Sequence, residues 1–307
     1  MTGLVYKSTG SWYQVRTADG KLFQARLRGL MKLDNITSTN PIAVGDTVTL
    51  ESEEEDGDIA VISEIVERKN YVARISPHNK HHHHIVASNL DQSLLFATLR
   101  DPKTSQGFID RFLVACEMHH VPAVIVFNKA DLYKEKENRK FTELNEAYAA
   151  AGYRVILASV AEKKGMDEVM SLLKNKTTLL SGHSGVGKSS FINLLFPELK
   201  LRTQDVSDWS GKGLHTTTFA EMFDLPGGGR IIDTPGIREL ALAHIDYREL
   251  SHFFPEMRER LNDCQFNDCL HLEEPGCAIK KAVAKGELSA LRYDSYCTLL
   301  ASMQEIR

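Results

Sequence analysis

Residues 182–189 read GHSGVGKS and fill, at every fixed position, the pattern GxxxxGK followed by Ser or Thr. The apolar run TTLLS precedes it and SFINLLF follows its lysine and first serine. A strand feeding a glycine-rich turn that opens a helix gives this pattern its phosphate-cradling meaning. The glycines let backbone N–H groups approach phosphate oxygens, and the helix N-terminus adds partial positive charge. The expected phosphate-binding set is Gly182, His183, Ser184, Gly185, Val186, Gly187, Lys188, Ser189 and Ser190. Lys188 is expected at the β- and γ-phosphates, with a part in catalysis, and Ser189 on Mg²⁺. Such a loop commits the chain to an α/β sheet.

A second run, NKAD at 128–131, follows the apolar stretch AVIVF. The Asp131 carboxylate can accept from guanine N1–H and the 2-amino group together, a donor arrangement adenine lacks. Charge-assisted hydrogen bonds of this kind are worth about 1.5–3 kcal/mol each. A site built on them penalises an analogue that leaves them unpaired, which favours GTP over ATP. Asn128 is expected to tie loops together and face the base edge, and the Lys129 stem to pack over the purine. LAS at 157–159 places Ala158 and Ser159 as a backbone contact to guanine O6. DTPG at 233–236 ends another apolar run; Asp233 is expected to hold Mg²⁺ through water and the Gly236 N–H to sense the γ-phosphate.

The guanine run therefore precedes the phosphate run, the reverse of the ordinary order. In a parallel sheet, loops at the carboxyl edge converge whatever their order in the chain. A circular permutation keeps them all in place, with the new break just after DTPG.

The flanks differ in character. Residues 1–69 hold five short strand candidates (LVYKS, WYQVRT, KLFQARLRGL, DTVTLE and AVISEIVER) separated by turn signals, which fits a small closed OB-like barrel. Arg16, Lys21, Arg26, Arg28 and Lys32 lie near Trp12, Tyr13 and Phe23. Basic groups beside aromatic faces suit RNA; the alternative is that the aromatics fill the barrel core. Residues 70–240 alternate apolar runs with helical stretches, as in a parallel sheet covered on both faces. His81–His84 reads as an exposed linker ahead of it. Residues 241–307 read as a mostly helical zinc-binding domain. An acidic loop at 51–58 and Trp209 receive no assigned role.

The chain has five cysteines. An odd count without a secretory signal argues against a disulfide framework. Cys264, Cys269, His271 and Cys277 follow C-x4-C-x-H-x5-C, the ligand set of one closed structural Zn²⁺ site. No apolar run is long enough for a transmembrane helix, the N-terminus lacks a signal-peptide pattern, and a cytoplasmic protein with no membrane partner is expected. The formal net charge of −4 does not announce a nucleic-acid binder, though it can hide a basic face.

In combination, the barrel, IDRFLV at 109–114, NKADL, GHSGVGKSS, GKGLHTTT at 211–218, DTPG and the cysteine cluster resemble the circularly permuted, ribosome small subunit-dependent GTPase family RsgA (YjeQ/YloQ). The resemblance covers nearly the whole chain. It implies a GTPase, using GTP, Mg²⁺ and one Zn²⁺, that binds the 30S subunit and its 16S rRNA late in assembly and is stimulated there. A monomer is expected. Ile237 stands where many GTPases carry a water-orienting Gln, so slow intrinsic turnover is expected. His215 is the candidate catalytic group, with a bland surface histidine as the alternative. Thr217 is the candidate second Mg²⁺ and catalytic threonine, with Thr216 and Thr218 open. Two other functions compete: a binding switch with negligible turnover, and a small-molecule kinase, which Asp131 opposes.

Overall fold

The computed structural model describes residues 1–28, 41–52, 57–75, 83–199, 220–234 and 245–305. His215, Trp209, Thr216, Thr217, Thr218, Gly236, Ile237, Lys32, His81 and His82, and residues 53–56 of the acidic loop, lie outside the described residues.

Five strands form the N-terminal barrel: β1 (Thr2–Ser8), β2 (Tyr13–Thr17), β3 (Leu22–Leu27), β4 (Thr47–Ser52) and β5 (Ile59–Ile65). They pair in the order β1-β2-β3-β5-β4, and β1 also pairs with β4, which closes the cylinder. Closure removes the exposed strand edges a small open sheet would present. Alternating residues point inward, so Val5, Val15, Ala25, Val48, Leu50, Ala60 and Ile62 fill the interior. Tyr13 and Phe23 are 1% and 3% exposed and belong to this core, whereas Trp12 is 41% exposed. The core alternative therefore holds for Tyr13 and Phe23, because the strand period of two turns them inward.

Two further strands, β6 (Tyr71–Ile75) and β7 (His83–Ser88), pair antiparallel. The expectation of an exposed linker through the histidine tract is thus corrected for its second half: His83 and His84 begin a strand. Val72, Ala73, Val86 and Ala87 are buried and supply the reason, an apolar pairing that fixes the hairpin. His84 is half-buried, and its pKa is lowered by burial and then by Arg74.

The central sheet is built from β8 (Gln92–Ala97), β9 (Ala123–Phe127), β10 (Arg154–Leu157), β11 (Thr177–Ser181), β12 (Glu221–Asp224) and β13 (Arg230–Asp233). Its order is β10-β9-β8-β11-β13-β12. All neighbours are parallel except β12 against β13. Every residue of β8 is buried, as expected of a central strand covered on both faces. The helices α1 (Gln106–Met118), α2 (Glu135–Ala150), α3 (Met166–Leu173) and α4 (Lys188–Leu195) connect the strands. The barrel joins this sheet edge to edge, because β1 pairs antiparallel with β12. Asp224 on β12 clamps the seam. It accepts from Tyr6 Oη at 2.8 Å and from Arg230 Nε at 3.3 Å, and it also pairs with Arg16.

The C-terminal part holds helical turns at Tyr247–Phe253 and Leu261–Asp263, then α5 (Pro255–Arg258) between them in sequence, α6 (Ala278–Ala284) and α7 (Ala290–Glu305). It shares one apolar core with α1, α2 and the sheet, joining Leu250, Phe254, Tyr296 and Leu300 to Phe112, Leu113 and Tyr148. Inside this core lies a charge triad. Arg292 of α7, 1% exposed, pairs with Asp110 of α1 and, at 2.7 Å, with Glu256 of α5. The rings of Tyr148, Tyr153 and Phe254 surround its guanidinium. Two carboxylates and aromatic faces compensate a cation that would otherwise be costly to bury. Arg292→Ala strands both carboxylates, so a loss of about 3–5 kcal/mol is expected on denaturant unfolding.

Candidate functional site: one sheet edge and a cysteine–histidine cluster

The parallel strands β8, β9, β10, β11 and β13 end at one edge of the sheet, and their following turns meet there. Asn128 is the joint between them. It is 2% exposed, and its Nδ2 donates to Val186 O at 2.8 Å while its Oδ1 accepts from Val160 N–H at 3.0 Å. One side chain thus stitches the turn after β9 to the turns after β11 and β10. Its own backbone N–H donates to Ala97 O at 2.8 Å, and Tyr133 Oη donates to its carbonyl at 2.9 Å.

The glycine-rich run wraps the start of α4. Gly182, Gly185 and Gly187 have φ of +136°, +82° and +101°, in the region L side chains resist. At Gly187 a Cβ would lie 2.3 Å from Asn128 Nδ2, and at Gly182 2.3 Å from Phe96 O. Gly182 and Gly187 are thus required by close approach as well as by φ. Lys188 is half-buried and donates from Nζ to Gly182 O at 2.7 Å and to His183 O at 2.8 Å. Burial lowers its pKa, with Asp233 opposing; burial raises that of Asp233, with Lys188 opposing. The ammonium and carboxylate are thus desolvated together, each needing opposite charge. Ser189 and Ser190 follow in the first turn of α4, half-buried, while Ser184 is exposed and Val186 is buried. An anionic phosphate and a hard cation fit this arrangement, since Asp233 and the Ser189 hydroxyl are oxygen donors of the type Mg²⁺ takes.

In the guanine run, Lys129 adopts φ +63°, and its Nζ donates to Asp101 O at 2.5 Å. Asp131 is exposed and accepts from Ser159 Oγ, which in turn accepts from Glu162 N–H at 3.1 Å. Ala158, fully buried, accepts from Ala130 N–H at 3.0 Å. The sequence singled out Ser159 for its backbone; its hydroxyl also orients the Asp131 carboxylate. Val160 and Tyr133 were missed, since a backbone donor and a distant phenol leave no local signal. Asn128→Ala leaves Val186 O and Val160 N–H without their partner. A stability loss of about 1–3 kcal/mol is expected in denaturant melts.

The second cluster brings together Cys264, Cys269, His271 and Cys277, whose ligand atoms all lie within 4.8 Å of one another. His271 Nδ1 is 3.6 Å from Cys264 Sγ and 3.5 Å from Cys277 Sγ. With zinc–ligand lengths near 2.3 Å for sulfur and 2.0–2.1 Å for nitrogen, tetrahedral angles separate S and N by about 3.6 Å. The donor set and spacing therefore fit zinc. Burial lowers the His271 pKa, with Glu274 opposing, which disfavours the charged imidazole. Burial and the neighbouring Cys277 and Cys264 thiols push Cys269 up to about 12, so a cation is needed to draw off its proton. Backbone N–H groups of Ala278 and Lys280 donate to Cys264 Sγ at 3.4 Å and Cys277 Sγ at 3.5 Å, as they would to thiolates. Glu274 accepts from Leu270 and Leu272 N–H and holds the turn, where His271 adopts φ +61°.

A glycine-rich phosphate loop and an NKAD loop on one sheet edge, in permuted order beside a closed barrel and a Cys3His cluster, define a circularly permuted P-loop GTPase. The RsgA GTPase family model matches residues 65–243, and the RsgA N-terminal domain model matches residues 2–60. The chain belongs to the RsgA GTPase family. It is 49% identical over 300 residues to the small ribosomal subunit biogenesis GTPase RsgA of Cytophaga hutchinsonii, covering 98% of each chain. Its fold is similar to the crystal structure of YjeQ from Thermotoga maritima, at 34% identity and a TM-score of 0.78 over 99% of this chain and 98% of that one. It is also similar to YloQ, described as a circularly permuted GTPase, at 31% identity and a TM-score of 0.75 over 100% of this chain and 96% of that one. Family membership makes the chain a GTP hydrolase and implies GTP, GDP and Mg²⁺. Among the described residues no helix is long and apolar enough to cross a membrane.

Proposed function

We propose that this chain hydrolyses GTP to GDP and phosphate on the 30S ribosomal subunit during late small-subunit assembly, slowly alone and faster on the subunit. The observation that carries it is the Asn128 joint, which holds guanine-type and phosphate-type loops on one edge, in a chain whose relatives are named for small-subunit biogenesis. The assignment places residues 1–69 as an OB-fold RNA-binding domain, 70–240 as the GTPase domain and 241–307 as the zinc-binding domain. In it, 16S rRNA is the contacted RNA, and the protein is monomeric and cytoplasmic.

Asp131, oriented by Ser159, selects guanine, with Asn128, Lys129 and Ala158 shaping the base site. Residues 182–190 hold the phosphates, and Lys188 exchanges its carbonyl partners for phosphate oxygens. Ser189 and Thr217, with Asp233 through water, would hold Mg²⁺, which when bound would supply charge neutralisation on the phosphates. Gly236 senses the γ-phosphate. His215 orients the attacking water in place of the usual glutamine, since Ile237 has no hydrogen-bonding group. Cys264, Cys269, His271 and Cys277 hold one structural Zn²⁺, with all four positions taken by the protein.

The deciding measurement is hydrolysis by the purified chain, alone and with 30S subunits, with ATP as control. Slow GTP turnover that rises on the subunit, with none for ATP, is expected. Flat turnover despite nucleotide-sensitive subunit binding would make the chain a binding switch. His215→Ala should abolish most of the stimulation while GTP affinity stays near wild type; unaltered stimulation removes His215 from catalysis. Metal analysis of the purified chain should give one zinc per chain, lost on Cys277→Ser.

A further inference from the structure

One turn of helix joins the phosphate loop to the C-terminal helix. Ser105 caps α1, its Oγ accepting from Phe108 N–H at 3.2 Å. Gln106 Nε2 then donates to Leu291 O at 2.8 Å and to Ser295 Oγ at 3.1 Å, both on α7. Asp110, four residues on and so on the same face, pairs with Arg292 of α7. Phe108 sits two residues from each, about 200° around the helix. Its ring therefore leaves on the other side and stacks on His183 of the phosphate loop, with centroids 3.6 Å apart and planes inclined by 31°.

The stacked residue is well placed to matter. His183 O is one of the two carbonyls that hold Lys188 Nζ. The preceding glycine lies so close to Phe96 O that a Cβ would meet it at 2.3 Å. The 182–183 segment is thus held between β8 on one side and the Phe108 ring on the other. The same first two turns of α7 grip the cysteine–histidine loop: Tyr293 Oη donates to His271 O at 2.6 Å and Tyr296 Oη to Leu270 O at 2.9 Å.

We propose that Phe108 is a positioning residue for the phosphate loop, acting through His183, and that α7 fixes Phe108 through Gln106 and Asp110, so that nucleotide affinity depends on how the C-terminal helix is seated. The proposal rests on the reading that residues 182–190 bind a guanine nucleotide. By linkage, any contact that shifts α7 changes nucleotide affinity, and nucleotide changes the strength of that contact by the same factor.

The test is equilibrium GDP binding to the full chain, with melting midpoints recorded for each variant without nucleotide. His183→Ala should weaken GDP about three- to tenfold, the range of an aromatic pair, and His183→Phe, which keeps a stacking ring, should restore it. Gln106→Leu should also weaken GDP, and Ser295→Ala, which removes one of the same hydrogen bonds, should act in the same direction. In the His183→Ala background the Gln106→Leu effect should vanish, because the link is already cut. Wild-type affinity in His183→Ala overturns the positioning role. Effects of Gln106→Leu and His183→Ala that multiply in the double variant overturn the connection to α7. A wild-type chain that binds no GDP overturns the nucleotide reading itself, and this proposal with it.

Discussion

The structure depends on the parallel register of β8, β9, β10, β11 and β13. Parallel strands all end on one edge, so five chain segments must converge there. That convergence is indifferent to chain order. It is what permits a guanine-type loop at 128–131 to precede a phosphate-type loop at 182–190. The buried amide of Asn128 then converts proximity into a fixed distance, because one donor and one acceptor are taken by two different loops. A buried amide lacking either partner would be costly, so the loops are held in the arrangement that satisfies both.

The GTPase sheet carries the barrel at its β12 edge and the C-terminal helices over its covering helices. On one side β12 continues into the barrel through its pairing with β1, and Asp224 secures the seam with Tyr6, Arg16 and Arg230. Arg16, one of the basic residues that the sequence context set beside aromatic faces, pairs with Asp224 here while its side chain stays 40% exposed. On the other side the C-terminal helices share the core over α1 and α2, with the Arg292 triad within it. Nucleotide loop, barrel and cysteine–histidine cluster are therefore parts of one packed body, each reached from the others through named side chains.

Legibility in the sequence followed the length scale of the interaction. The phosphate run, NKAD and the cysteine spacing were readable because each is complete within a few residues, and its backbone conformation is written in its glycines or ligands. The five barrel strands were readable from alternation and turn residues. The second half of the histidine tract was misread, because polarity dominated over the apolar alternation of the strand it opens. Tyr13 and Phe23 could be placed on either face until the register of β2 and β3 turned them inward.

By itself, then, the sequence determined the chemistry available: a glycine loop with its lysine, a carboxylate suited to guanine, and three thiols with an imidazole at ligand spacing. Those assignments rest on local covalent spacing, which no tertiary arrangement alters. Only the tertiary structure decided which groups meet. Asp110 and Arg292 are 182 residues apart, and Asn128 and Val186 are 58 apart. Nothing local to any of these residues names its partner. Partner choice is set by strand order and helix packing, where the apolar surface of the whole chain is buried at once and each buried polar group must find its complement.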